Sequence, residues 1–159
     1  MKPKPRSLFI TSILIILSAT LSACAPQLIV PGPPISEPKL TEKNIVLADG
    51  AQLPLHQWPP SGTHQKNPKA ILLALHGFND YGLFIKTGAE YFAGLGIQTY
   101  AYDQRGFGAA QHTGRWPGRN AFAQDLTTIT GLLRRRHPDT PLFVLGHSMG
   151  GAIVMSAVT

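Results

Sequence analysis

The sequence predicts an α/β fold in which a mostly parallel sheet is flanked by helices, and three observations lead there. Ala70–Leu75 (AILLAL) and Leu142–Leu145 (LFVL) are apolar without alternation, as strands buried on both faces are. Helix-compatible segments lie between such runs. Each of the two runs ends in a glycine-bearing turn, His76-Gly77 in one case and Gly146–Gly151 in the other. Strands alternating with helices fold into a parallel sheet covered by helices.

In chain order, Asn44–Ala48 and Leu53–Trp58 flank Asp49-Gly50, a hairpin-turn dipeptide. Pro54, lacking an amide donor, suggests an edge position for the second strand. Pro59–Pro68 reads as a polar loop, and AILLAL follows as a buried strand. Gly82–Leu95 is expected to be helical, with Gly94 and Gly96 ending it. Ile97–Tyr102 is the next strand, leading into Asp103 and a loop over Gln104–Gly118. Asn120 is placed to cap a helix whose Phe122, Leu126, Ile129 and Leu133 fall on one face. Arg134–Arg136 close that helix, where cations favour the negative end of its dipole. After LFVL, a helix is expected to start near Gly150. No internal repeat is visible.

The first residues are an address. MKPKPRSLFITSILIILSATLSAC has a basic start, an uncharged, largely apolar segment from Leu8 to Ala23, and a small-residue end. That is the plan of a bacterial secretory signal over residues 1–23. The apolar run is short of the roughly 20 residues a spanning helix needs. Leu21-Ser22-Ala23-Cys24 resembles the lipobox of bacterial lipoproteins, which implies a diacylglyceryl group on the Cys24 thiol and cleavage just before it. Ala25 is not Asp, which within that resemblance favours an outer-membrane anchor on the periplasmic side. Residues 24–40, rich in proline, are expected to form an extended tether reaching about 50 Å at roughly 3 Å per residue. The domain then runs over 41–159.

Composition excludes some partners. Hydrophobic residues are 43% and charged residues 14%, enough apolar material for a core. The net charge of +6 includes Lys2, Lys4 and Arg6 of the leader, and Arg134–Arg136 match the remaining excess. No basic face with interleaved aromatics suggests nucleic acid. Cys24 is the one cysteine, so no intrachain disulfide forms. No cofactor or metal is expected.

The chemistry centres on Gly146-His147-Ser148-Met149-Gly150, a G-x-S-x-G pattern. A serine hydroxyl is a weak nucleophile and needs a base and a site for the developing oxyanion. The elbow exposes Ser148 on a tight strand-to-helix turn, its glycines leaving room for the strained backbone. Alone the pattern is weak, but here an apolar strand precedes it and a helix-compatible segment follows. His76-Gly77-Phe78-Asn79, after the earlier strand, stands where the same plan places an oxyanion donor. The expected donors are the amides of Phe78 and Met149.

LLALHGFNDY, YAYDQRGFGAAQ and VLGHSMGG together resemble the α/β-hydrolase superfamily, and within it the monoacylglycerol lipase and lysophospholipase branch, also called serine aminopeptidase-like. The resemblance covers about residues 42–159. It implies the N-terminal part of that fold and an ester hydrolase working through an acyl-enzyme. Ser148 takes the nucleophile position and Phe78 and Met149 the oxyanion positions, while Asp103 takes a structural one. Phe107 stands where the family usually has His or a small polar group.

The triad order of this superfamily is Ser, then Asp or Glu, then His. No acidic residue or histidine follows Ser148. His147 is expected to point away from the hydroxyl and His76 to order its loop. His56, His64, His112 and His137 read as loop or surface residues. A strand as apolar as Leu142–Leu145, with no strand after it, would leave an aggregation-prone edge. The expectation is therefore an N-terminal fragment of a longer protein, inactive by itself. The complete protein is expected to cleave lipid esters (monoacylglycerols or lysophospholipids) while tethered to a membrane. Two alternatives stand beside it: an aminopeptidase or acyltransferase on the same fold, and a non-catalytic membrane-tethered lipoprotein.

Overall fold

A computed structural model describes residues 27–65 and 67–158. The leader and Cys24 lie outside them. Six strands form one mixed sheet: β1 (Lys39–Leu40), β2 (Asn44–Val46), β3 (Gln52–Trp58), β4 (Ala70–Leu75), β5 (Ile97–Tyr102) and β6 (Leu142–Gly146). The spatial order is β1-β2-β3-β5-β4-β6. β1 to β3 run as an antiparallel meander joined to β5, and β5, β4 and β6 are parallel. Among the described residues the helices are α1 (Lys86–Gly94), α2 (Arg119–Arg136) and α3 (Met149–Ala157), with a 3-10 turn at Gly82–Ile85 leading into α1. Among the described residues, no helix is long and apolar enough to cross a membrane.

β4 is the centre of the parallel part because both of its neighbours are strands. Ile71, Leu73 and Leu75 are fully buried, and each such side chain contributes about 1.5–3 kcal/mol by leaving water. They join one core cluster with Phe122, Leu126, Ile129 and Leu133 of α2 and Ile153 of α3. The predicted face of α2 is therefore the face it buries. Ala74 of β4 and Ala89 of α1 are buried outside that cluster. Among the described residues, β6 pairs with β4 alone, and Phe143 is 60% exposed.

Three local expectations change. Pro54 is not at an edge, since β3 lies between β2 and β5. Its missing N–H is tolerated because the β3–β5 ladder begins one residue later, at Leu55, and its carbonyl accepts from Asp103 N. Asn120 does not cap α2. The helix starts at Arg119 behind Gly118, whose φ of 90° suits glycine and few other residues. The proline-rich segment, finally, is not a free tether over its described part. Ile29 N donates to Trp116 O and Trp116 N to Gln27 O, while Ile35 N and Ser36 N both donate to Ala48 O. Lys39–Leu40 then adds a strand to the meander. Proline removes only its own donor, so the residues between prolines remain free to pair.

Candidate active site

β6 delivers the chain to Ser148 at the sharp bend before α3. Ser148 has φ 51° and ψ −112°, a positive-φ conformation that costs a non-glycine residue about 1–3 kcal/mol. Two glycines let the bend close. A Cβ on Gly146 would lie 2.5 Å from Gly150 C and O, and one on Gly150 would lie 2.5 Å from Leu75 O. The bend is also tied to β4, because His147 N donates to Leu75 O at 3.0 Å. Ser148 is exposed at its apex.

These contacts give a stability test. Gly150→Ala forces backbone apart at the elbow and should abolish soluble folded protein or lower its melting temperature steeply. Gly94→Ala, on an exposed helix end with nothing within 4 Å, should raise stability by up to about 1 kcal/mol. Thermal melts of both variants check the contrast.

The loop after β4 lies against this elbow. A Cβ on Gly77 would meet His147 Nδ1 at 2.9 Å and Ser148 Cβ at 3.4 Å. The structure thus brings His76-Gly77-Phe78 beside the serine. Met149 opens α3, where the first amides of a helix have no intrahelical acceptor. Phe78 is 67% exposed, and Asn79 behind it turns the loop with φ 61°.

His76 holds this loop in place. Its Nε2 accepts from Gln104 N at 3.0 Å, so the ring proton sits on Nδ1, which donates to Gly77 O at 2.7 Å. Gln104 Nε2 donates back to His76 O at 2.8 Å. Burial lowers the His76 pKa, outweighing its hydrogen bond to Gly77 O and the nearby Asp103 charge, and the ring stays neutral. A depressed value contributes stability that is complete above the unfolded imidazole value of about 6.5 and is lost as pH falls through the folded value. The melting temperature should therefore fall between pH 7.5 and 5, and an unchanged one would contradict the role.

No imidazole among the described residues bonds to the Ser148 hydroxyl. His147 stacks on Phe84 at 6.0 Å. His56 and His137 are not the loop or surface residues expected. His56 lies on β3 and bonds through Nε2 to Asp103 Oδ1 at 2.9 Å, and His137, at the end of α2, pairs with the Tyr100 hydroxyl at 2.9 Å. Asp103 is buried and also accepts from Gly82 N and Ala109 N, so it clamps the loops after β4 and β5 together. That is a structural arrangement.

Sequence reasoning missed a buried ion triad under these loops. Arg105 donates to both carboxylate oxygens of Asp125 at 3.0 Å and to Asp49 at 2.7 and 3.3 Å. The three side chains are only 7–9% exposed. Burial alone would push the Asp49 carboxyl up. Hydrogen bonds from Arg105 and from the Ala51 and Gly32 amides, with the Arg105 charge, hold it below the usual range. Burial also opposes the Arg105 charge, and its two carboxylate partners more than restore it. The one available signal was an arginine directly after the Asp103 turn, in a chain with few charges.

Phe107, the departure noted at that loop, is buried edge-on between His76 and Phe78 and near Trp116. Beside it lies a cavity of about 630 Å³, walled by the Phe78–Tyr81 loop and the Gly106–Trp116 loop. Ser148 is not among its lining residues, and the link between them is Gly77-Phe78.

Strand order, the strained serine elbow and the loop beside it define part of an α/β-hydrolase fold. A solved structure of Est1E from Butyrivibrio proteoclasticus with ferulic acid bound superposes with a TM-score of 0.61 at 21% identity, over 71% of this chain and 45% of that one. The chain belongs to the serine aminopeptidase S33 family, whose model matches residues 66–159. It is similar to the monoglyceride lipase of Mus musculus, 32% identical over 76% of this chain and 42% of that protein. It is also similar to the monoacylglycerol lipase of Mycolicibacterium smegmatis, 28% identical over 73% of this chain and 40% of that protein. The chain spans about two fifths of the length of the curated relatives it matches.

Proposed function

We propose that the complete protein is a serine hydrolase that cleaves carboxylic esters of lipids, monoacylglycerols or lysophospholipids, through an acyl-enzyme. The observation that carries the reading is Ser148, exposed at φ 51° on a glycine-walled elbow with Gly77 against it. The similarity to monoglyceride and monoacylglycerol lipases supports the substrate class. Ser148 Oγ attacks the ester carbonyl carbon, and its proton passes to a histidine base that is not among the described residues. The Phe78 and Met149 amides donate to the oxyanion. The alcohol leaves with that proton, and water then releases the fatty acid and restores the serine.

The Cys24 lipobox supports export and acylation, with the protein held on the periplasmic side of the outer membrane. The test is a fluorophosphonate probe on the complete protein, with hydrolysis assayed on monoacylglycerols, lysophospholipids and peptide amides. Ser148-dependent labelling with ester turnover is expected, and absence of labelling contradicts the reading. Because the matching family model is described as a serine aminopeptidase, amide turnover exceeding ester turnover would favour a peptidase instead.

A further inference from the structure

We propose that Gln27–Ser36 is a strap that holds the mouth of the Phe78–Trp116 cavity at the bilayer surface, so that the partner of this face is the membrane itself. The inference rests on the reading of Cys24 as acylated, and goes beyond it by fixing which face of the domain meets the lipid. The strap is bonded to the domain at both ends, through Gln27 and Ile29 to Trp116 and through Ile35 and Ser36 to Ala48. Only Ala25 and Pro26 separate Cys24 from Gln27. Three peptide links span about 10 Å at full extension, whereas a free tether to Thr41 would span about 50 Å. Trp116, a cavity-lining residue bonded to Gln27, is therefore kept within about 15 Å of the anchor.

The side chains at this rim suit that position. Leu28 is 67% and Val30 84% exposed on the strap, and Phe78 is 67% and Tyr81 48% exposed at the cavity. Arg115 and Trp116 line the same cavity. Aromatic side chains settle at the membrane–water interface and cations at anionic headgroups. A lipid leaving the bilayer would thus meet the cavity without crossing water.

The test uses the complete protein, made in a lipoprotein-processing bacterium and reconstituted in vesicles of phosphatidylethanolamine and phosphatidylglycerol. Val30→benzoylphenylalanine places a photocrosslinker on the strap, and Leu95→benzoylphenylalanine places one before β5, at the opposite end of that strand from Asp103. Lipid adducts are expected from position 30 in clear excess over position 95. Ten Gly/Ser residues inserted between Pro26 and Gln27 should cut the position-30 adducts about tenfold, as effective concentration falls with tether length. The melting temperature should not change. Equal adducts from both positions, no effect of the insertion, or crosslinking of position 30 to the protein's own chain would overturn the proposal. Intact mass separates the two readings. An acylated Cys24 without lipid adducts at position 30 removes the strap alone, and an unacylated Cys24 removes the anchor as well. Neither result depends on ester turnover, so the hydrolase reading stands or falls separately.

Discussion

Replacing Ser148 by Ala in the complete protein will lower kcat/KM for ester substrates by a factor of about 10⁴ or more, while leaving the fold intact. The size follows from the nucleophile role proposed for Ser148. Without the hydroxyl no acyl-enzyme forms, and oxyanion donors and substrate binding supply only residual catalysis. The fold survives because Ser148 is exposed and the elbow is held by neighbours: Gly150 N donates to His147 O, and Gly151 N and Ala152 N to Ser148 O. Ser148→Gly separates strain from chemistry. It should be equally inactive but more stable, since glycine adopts φ 51° without the cost that serine carries. Steady-state kinetics and thermal melts of the two variants give both readouts.

Arg105→Met will destabilise the protein by about 3–5 kcal/mol, because it removes one partner of a buried ion network. The guanidinium satisfies Asp49 and Asp125 together, and its removal leaves two buried carboxylates facing one another. Asp49 sits in the β2–β3 turn, Asp125 in α2 and Arg105 in the loop after β5. The triad therefore ties the antiparallel meander to the helix covering the parallel half. The Asp49 contribution has a definite sign with pH, whereas burial pushes the Asp125 carboxyl up and gives that residue the opposite one. The Asp49 pKa is lowered in the folded state, so its contribution is complete above the ordinary carboxylate value near 4 and is lost as pH falls through the lower folded value. The stability gap between the wild type and Asp49→Asn should thus be constant from pH 5 to 7 and close below pH 4. Denaturant titrations across that range check it.

What could be read in the sequence was whatever the chain states locally. AILLAL and LFVL became β4 and β6 because continuous apolar runs have few other homes. The i, i+4, i+7 and i+11 spacing of Phe122, Leu126, Ile129 and Leu133 became the buried face of α2. The elbow was legible because Gly146 and Gly150 stand only two residues either side of the serine they serve. The features that escaped are long-range pairings. Arg105 meets Asp49 across 56 positions, and His56 meets Asp103 across 47. The strap pairs Gln27 and Ile29 with Trp116, although its proline content suggested an unattached chain. No periodicity records such contacts, because a single backbone bridge or ion pair leaves no repeating pattern.

The proposed acyl-enzyme mechanism requires Ser148 to carry the acyl group of the substrate. Rapid quenching of the complete protein with a monoacylglycerol or a p-nitrophenyl ester, followed by peptide mass spectrometry, tests it directly. An acyl mass on the peptide containing Ser148, absent in Ser148→Ala, is the predicted result. Turnover of the ester with no acyl group on Ser148, or with the adduct on another residue, would contradict it.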